Sequence, residues 1–171
     1  MAEITLRPIE KSDLGMIQRW RNQSNVLPYC RQYRPLSIRD MEAWYDKLHI
    51  DKDYNLTNDF FIIEYNKSIG VGGFTRIDWR NRKAELSFYV SEFDEKIVGK
   101  ALLHLVGYGF ETLNLFKIYW PVYSFNPHIK VYEEYFNKEY TAKKEYYWEG
   151  KYHDRIVLVA YNPYYEETQR N

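Results

Sequence analysis

Few side chains in this chain could do covalent chemistry, and their spacing narrows the choice further. Cys30 lies in a segment bounded by Pro28 and Pro35 and carries no local signature of a nucleophile. His49, His104, His128 and His153 are scattered, so one thiol and four imidazoles offer no cluster at zinc spacing, and no metal is expected. Neither a serine in a glycine elbow, nor a P-loop, nor a dinucleotide fingerprint is present. Two further features stand out, a carboxylate within an alternating strand and a basic, glycine-containing segment ahead of a helix. In Ala84-Glu85-Leu86-Ser87-Phe88-Tyr89 the alternation puts Glu85, Ser87 and Tyr89 on the less apolar face of a strand, where an acceptor cleft could lie. Lys96-Ile97-Val98-Gly99-Lys100-Ala101 precedes a run of apolar residues at helical spacing. A helix starting at Gly99 would present free N–H groups and a positive dipole end to a pyrophosphate. Gly99 would admit the backbone to the phosphates, and Lys96 and Lys100 would add charge, although Glu92, Asp94 and Glu95 stand beside them.

These residues need elements to position them. Residues 4–9 alternate as a half-buried strand, and Ser12 can cap a helix running through Asn22 on Leu14, Ile17 and Trp20. A second helix starts at Ser37, with Asp40 as its capping-box partner and Met41, Trp44, Tyr45 and Leu48 at helical spacing. Three short strands follow, over 60–65, 69–77 and 83–90, as an antiparallel meander with turns at 66–68 and 79–82. From Gly99, the positions Leu102, Leu105, Val106, Gly109, Phe110 and Leu113 form the apolar face of a third helix. Residues 116–123 read as a strand, 127–136 as a short helix, and 140–148 with 155–161 as a terminal strand pair joined through Glu149-Gly150. The order is β-α-α-β-β-β-α-β-α-β-β, a mixed α/β sheet, ending in a polar tail over 162–171 that is expected to fray.

Composition bounds the function. A chain of 171 residues with 45% hydrophobic and 28% charged residues fits one globular domain over 1–171. Lys plus Arg and Asp plus Glu both number 24, so no net field draws the chain to nucleic acid or an anionic membrane, and neither is an expected partner. With no run of 18 apolar residues, a cytoplasmic protein is expected, as a monomer or homodimer. The 18 Tyr, 9 Phe and 5 Trp are read as half-buried sheet and surface residues.

The element order resembles the GNAT superfamily of N-acetyltransferases from about Ile4 to Ala160. Leu6-Arg7-Pro8, Asp13-Leu14 and Trp20-Arg21-Asn22 are similar to the opening of one branch of that superfamily. This branch includes the ribosomal-protein N-terminal acetyltransferases and several nucleotide-aminosugar acetyltransferases. The middle segment, Ile69-Gly70-Val71-Gly72-Gly73-Phe74 with Ile77 to Arg82 and Ala84-Glu85-Leu86, is similar to the same branch and is the most specific signal. The resemblance implies acetyl-CoA as co-substrate and direct transfer to a primary amine in a ternary complex. The family phosphate motif, Gln or Arg, two residues, Gly, one residue, then Gly or Ala, is matched by Lys96, Gly99 and Ala101, with Lys where Arg or Gln is usual. It implies cofactor contacts from Val90, Lys96, Val98, Gly99, Lys100, Ala101 and Asn126. Glu85 resembles the position of the general base, and Tyr132 the tyrosine that protonates the departing thiolate, although the Asn126-to-Tyr132 spacing is one residue short. A small or nucleotide-linked aminosugar, entering across the first two helices, is the first expectation for the acceptor. A protein N-terminal amine comes second and an aminoglycoside third. The acidic flank of the phosphate motif leaves a non-catalytic acyl-CoA-binding module as the reading from another class.

Overall fold

The computed structural model describes residues 3–50 and 57–168. Its elements are β1 (Thr5–Pro8), α1 (Leu14–Arg21), α2 (Ile38–Ile50), β2 (Asn58–Tyr65), β3 (Lys67–Asp78), β4 (Lys83–Val90), α3 (Glu95–Glu111), β5 (Lys117–Tyr123), α4 (Ile129–Tyr132), β6 (Asn137–Trp148), β7 (Lys151–Tyr161) and α5 (Pro163–Thr168). The strands form one sheet in the order β1-β2-β3-β4-β5-β7-β6, antiparallel throughout except where β4 meets β5. The expected order holds, with α5 added at its end.

Apolar residues cover both faces of this sheet. On one face α1 and α2 bury Leu14, Ile17 and Met41 against Ile62 of β2 and Val71 of β3. On the other, α3 buries Val98, Ala101, Leu102 and Leu105 against Ile63, Phe74 and Leu86. Neighbours in sequence, Ile62 and Ile63, thus serve opposite cores, as the two-residue strand period requires. The strands approach closely at Gly73, where an added Cβ would lie 2.1 Å from the Asp59 carbonyl oxygen. Among the described residues no helix is long and apolar enough to cross a membrane.

Local signals place α2 well and α1 less well. Ser37 and Asp40 exchange the expected capping bonds, Ser37 N–H to Asp40 Oδ2 at 2.7 Å and Asp40 N–H to Ser37 Oγ at 3.2 Å. Ser12 does not cap α1. It lies inside a 3-10 turn over Lys11–Asp13, because Asp13 makes the stronger contacts there. Asp13 accepts the Glu10 N–H at 2.8 Å and both prongs of the Arg7 guanidinium at 2.7 and 2.9 Å, tying β1 to α1.

Other boundaries differ more: β7 starts at Lys151 rather than 155, β6 at Asn137 rather than 140, and α4 spans only Ile129–Tyr132 of the expected 127–136. Helix α3 begins at Glu95, one turn before Gly99, because Asp94 is an N-cap whose carboxylate accepts the Ile97 N–H at 3.0 Å. The segment expected to fray is held as far as it is described. Asn162 is 2% exposed and donates to the Leu115 carbonyl at 3.0 Å, and the Tyr165 ring meets Phe116 edge-on at 5.9 Å.

The Arg7–Asp13 pair makes stability depend on acid. The Arg7 hydrogen bonds hold the Asp13 carboxyl below the usual carboxylate range. Its contribution is therefore full above about pH 4, the unfolded value, and is lost as pH falls through the lower folded value. Asp13→Asn is expected to cost about 1 kcal/mol at pH 7, discounted because the Arg7 side chain is 33% exposed. Thermal melts should show the wild-type advantage at pH 7 shrinking as pH falls below about 4 and vanishing once Asp13 is protonated in the folded state.

Candidate active site

Strands β4 and β5 pair at only three positions, Lys83 with Lys117, Ala84 with Ile118 and Glu85 with Tyr119. Beyond Glu85, β4 stays with β3 as far as Val90, and β5 stays with β7 as far as Tyr123. The two strands therefore part as a V with Glu85 at its apex. Phe88 of β4 and Trp120 of β5 meet edge-to-face at 5.9 Å between the arms.

The pleat sorts β4 as its alternation predicts. Ala84, Leu86 and Val90 join the core under α3, whereas Tyr89 packs with the α1 and α2 cluster. Glu85 shares the face of Tyr89 but is only 6% exposed, so it is not a solvent-side residue. Both of its oxygens are occupied. Arg31 donates to Oε1, and Arg76 donates to Oε2 at 3.2 Å. A bulge aims Arg76: its φ of 53° lies in the left-handed region, and the β3–β4 register breaks between Thr75 and Asp78.

A cavity of about 870 Å³ opens over Glu85, between α1, α2, the segment joining them and the sheet. Trp44, Phe60, Tyr89 and Trp120 are among its walls. A narrower one of about 70 Å³ lies between the arms of the V and is lined by Val90, Phe93, Asn126, His128 and Tyr132. The two share Tyr29, Cys30, Phe88, Tyr89, Trp120 and Pro121 as walls. A group in the narrow gap and one in the wide cavity can thus meet at a common boundary.

Tyr132 is 6% exposed, with its ring 4.4 Å from that of Trp120. Burial drives its phenol well above the ordinary range, with the Asn126 side chain opposing the rise. The hydroxyl therefore keeps its proton at neutral pH. Asn126 also accepts the His128 N–H at 2.9 Å, fixing the turn into α4, so Val90, Asn126 and Tyr132 come together despite the short spacing. Burial also raises the Cys30 thiol, which donates to the Val26 carbonyl at 3.3 Å and has no thiolate character.

The phosphate motif is placed differently from its expectation. Gly99 lies in the second turn of α3, where an added Cβ would stand 2.0 Å from the Tyr135 hydroxyl oxygen. Val98 and Ala101 are core residues, Lys96 is exposed, and the Lys100 ammonium stands 5.7 Å from the Tyr65 ring centroid. None of the five lines either cavity. The N-terminus of α3 is instead formed by Asp94, Glu95, Lys96 and Ile97, with Asp94 in the position an anion would take. Sequence reasoning missed Arg31 and Arg76. Among 24 basic residues nothing local marks two that converge on one carboxylate.

A sheet parted between two parallel strands, with a wide cavity on one side and a phenol in the gap, is built to bring a thin acyl donor against an acceptor. The chain matches the acetyltransferase (GNAT) domain family over residues 3–134 and belongs to that family. It is 30% identical to the spermidine N(1)-acetyltransferase of Vibrio cholerae over 158 residues, 90% of each chain. It is 26% identical to that of Escherichia coli K12 over 167 residues, 95% of this chain and 88% of the other. A crystal structure of the Vibrio cholerae spermidine N-acetyltransferase with CoA and spermine matches with a TM-score of 0.78 at 28% identity, covering 96% and 98% of the two chains. A dodecameric structure of a Vibrio cholerae spermidine N-acetyltransferase matches with a TM-score of 0.73 at 26% identity, covering 95% and 96%. The chain is an N-acetyltransferase, and acetyl-CoA is its donor.

The gap between β4 and β5 suits the thin end of that donor, with Val90, Asn126 and Tyr132 along it. Its outer end is tighter. The Phe93 and His128 rings stack at 3.5 Å, and the Asp94 carboxylate already holds the Ile97 N–H. Asp94→Asn keeps a capping side chain but removes the charge that competes with a phosphate. Calorimetric titration should show CoA binding about 2- to 5-fold tighter in this variant, the equivalent of about 0.5–1 kcal/mol. Unchanged affinity would place the pyrophosphate away from this helix end.

Proposed function

We propose that the chain transfers acetyl from acetyl-CoA to the primary amine of a small aminosugar, free or nucleotide-linked, held in the 870 Å³ cavity. The observation that carries this reading is the buried Glu85 carboxylate at the apex of the V, in the lining of the wide cavity. An amine there reaches the thioester carbon across the shared wall. A C–N bond forms and the C–S bond breaks. One ammonium proton passes to Glu85, the departing sulfur takes a proton from the Tyr132 hydroxyl, and the second proton that the nitrogen sheds on becoming an amide restores the phenol. Glu85 must first release one guanidinium, which the 58% and 62% exposure of the Arg31 and Arg76 side chains allows.

The relatives favour a second reading, spermidine as acceptor, because two of them carry that activity in their names. A thiol-release assay with acetyl-CoA and a panel of glucosamine, a nucleotide-linked aminosugar, spermidine and an N-terminal peptide separates these. CoA binding without turnover on any of them would leave the acyl-CoA-binding module. The one-domain, cytoplasmic, monomer-or-homodimer reading stands beside this proposal, and light scattering would reveal a larger assembly such as the dodecamer of the relative.

Two substitutions test the proton paths. Glu85→Gln should depress turnover most near neutral pH, where the amine is protonated, and less at high pH, where free amine is abundant. A uniform loss would make Glu85 a positioning residue for Arg31 and Arg76. Tyr132→Phe keeps the ring against Trp120 and removes one hydroxyl, so kcat should fall about 100-fold or more with little change in CoA affinity or Tm. Tyr147→Phe, at a ring 59% exposed, is the control and should match wild type.

A further inference from the structure

The wide cavity has an unusual charge balance for a family member whose relatives are named for a polyamine. Three carboxylates line it, and each is held by an arginine in the resting state. Asp40 is held by Arg34 at 3.0 Å, Glu145 by Arg155 at 2.5 Å, and Glu85 by both Arg31 and Arg76. Two further cations on the wall, Arg21 and Lys47, have no carboxylate partner among the described residues. Spermidine, with its several ammonium groups, would enter a cavity whose carboxylates are taken and whose unmatched charge has its own sign.

Arg21 carries a second sign of an absent partner. It ends α1, and its Nη2 donates to the Gln32 carbonyl at 2.9 Å, which pins one prong of the guanidinium. The other prong, Nη1, is fully buried and has no hydrogen-bond partner. Nη1 lies beneath the cavity wall, so the guanidinium is incompletely matched within the chain, and its planar donor fork suits phosphate oxygens once turned toward the cavity. Its charge also reaches the Tyr89 phenol and the Cys30 thiol, both on the wall between the two cavities, where it opposes the rise that burial causes. Lys47 lies on the same face of α2 as Asp40, Ala43 and Trp44, at helical spacing and toward the cavity.

We propose that Arg21, supported by Lys47, forms a phosphate-binding subsite in the acceptor cavity, so that the amine acetylated is one that carries a phosphate group. This rests on the acetyl-transfer reading and selects within it. Two unmatched positive charges complement a phosphate monoester or a diphosphate link, each close to two negative charges at neutral pH. The phosphate fixes the acceptor, and the amine extends toward Glu85.

The test compares glucosamine with glucosamine 6-phosphate, which present the same amine and differ by the phosphate, alongside spermidine. The phosphorylated acceptor should have a kcat/KM about tenfold higher, chiefly through KM, with spermidine poorest. Raising salt from 50 to 500 mM should erode that advantage. Arg21→Gln should bring the two sugars to within about twofold of each other, and Lys47→Gln, on an exposed helix face, should reduce the ratio partially and serves if the Arg21 variant does not fold. Equal use of the two sugars by the wild type, preference for spermidine, or the same loss on both sugars in Arg21→Gln would each overturn the subsite. If no amine is acetylated, titration with inorganic pyrophosphate decides separately. Binding that Arg21→Gln abolishes upholds the subsite while the transfer reading falls, and no binding overturns the subsite as well.

Discussion

Everything at the active site depends on β4 and β5 ceasing to pair after Glu85 and Tyr119. Each strand has another edge to rely on, β3 for β4 and β7 for β5, so the backbone groups released between them do not cost the sheet its integrity. Bulky rings occupy the parting, with Phe88 against Trp120 and Trp120 against Tyr132 and Phe136. These contacts keep the arms apart and put the Tyr132 hydroxyl in the gap. The same parting gives the two cavities a common wall, and direct transfer requires that geometry, since neither substrate need leave its own compartment.

Burying a carboxylate at the apex imposes a second constraint. An unpartnered ion at that depth would be destabilising by several kcal/mol, so Glu85 has to be matched by cations in the resting state. Arg31 comes from the segment between α1 and α2, and Arg76 from a bulge in β3, two elements that otherwise have no reason to meet. Their pairing fixes the cavity floor and leaves its remaining charge to Arg21 and Lys47. The burial of Glu85 and the charge balance of the cavity are thus coupled, because the arginines that match this carboxylate line the same cavity.

The donor end follows a different logic. Asp94 satisfies a helix N-terminus with a side chain of this chain, and Glu95 complements the dipole in the first turn, which strengthens α3 in isolation. A phosphate asks for the same N–H groups. A pyrophosphate bound here would set donor binding against helix stability, and the Tyr135 ring over Gly99 would add a steric term of the same sign.

Much of the scaffold was legible before any coordinates. Strand alternation set the limits of β4 and the face of Glu85, the Ser37 and Asp40 pair marked the start of α2, and the element order carried the family. These are local periodicities and caps, decided by residues within a turn or two of one another. Where two local signals competed, the sequence misled: Gly99 suggested a helix start, but Asp94, one turn earlier, is the better cap. The site itself was only half visible. Glu85, Asn126 and Tyr132 could be singled out from the chain as candidates, whereas the partners of Glu85 could not, because Arg31 is 54 residues away and Arg76 reaches it only through a left-handed bulge. Sequence alone determined which residues alternate, cap and face inward. Only the tertiary structure decided which charges cancel and which stay unmatched, because the field inside a cavity is summed over elements that the chain brings together from far apart.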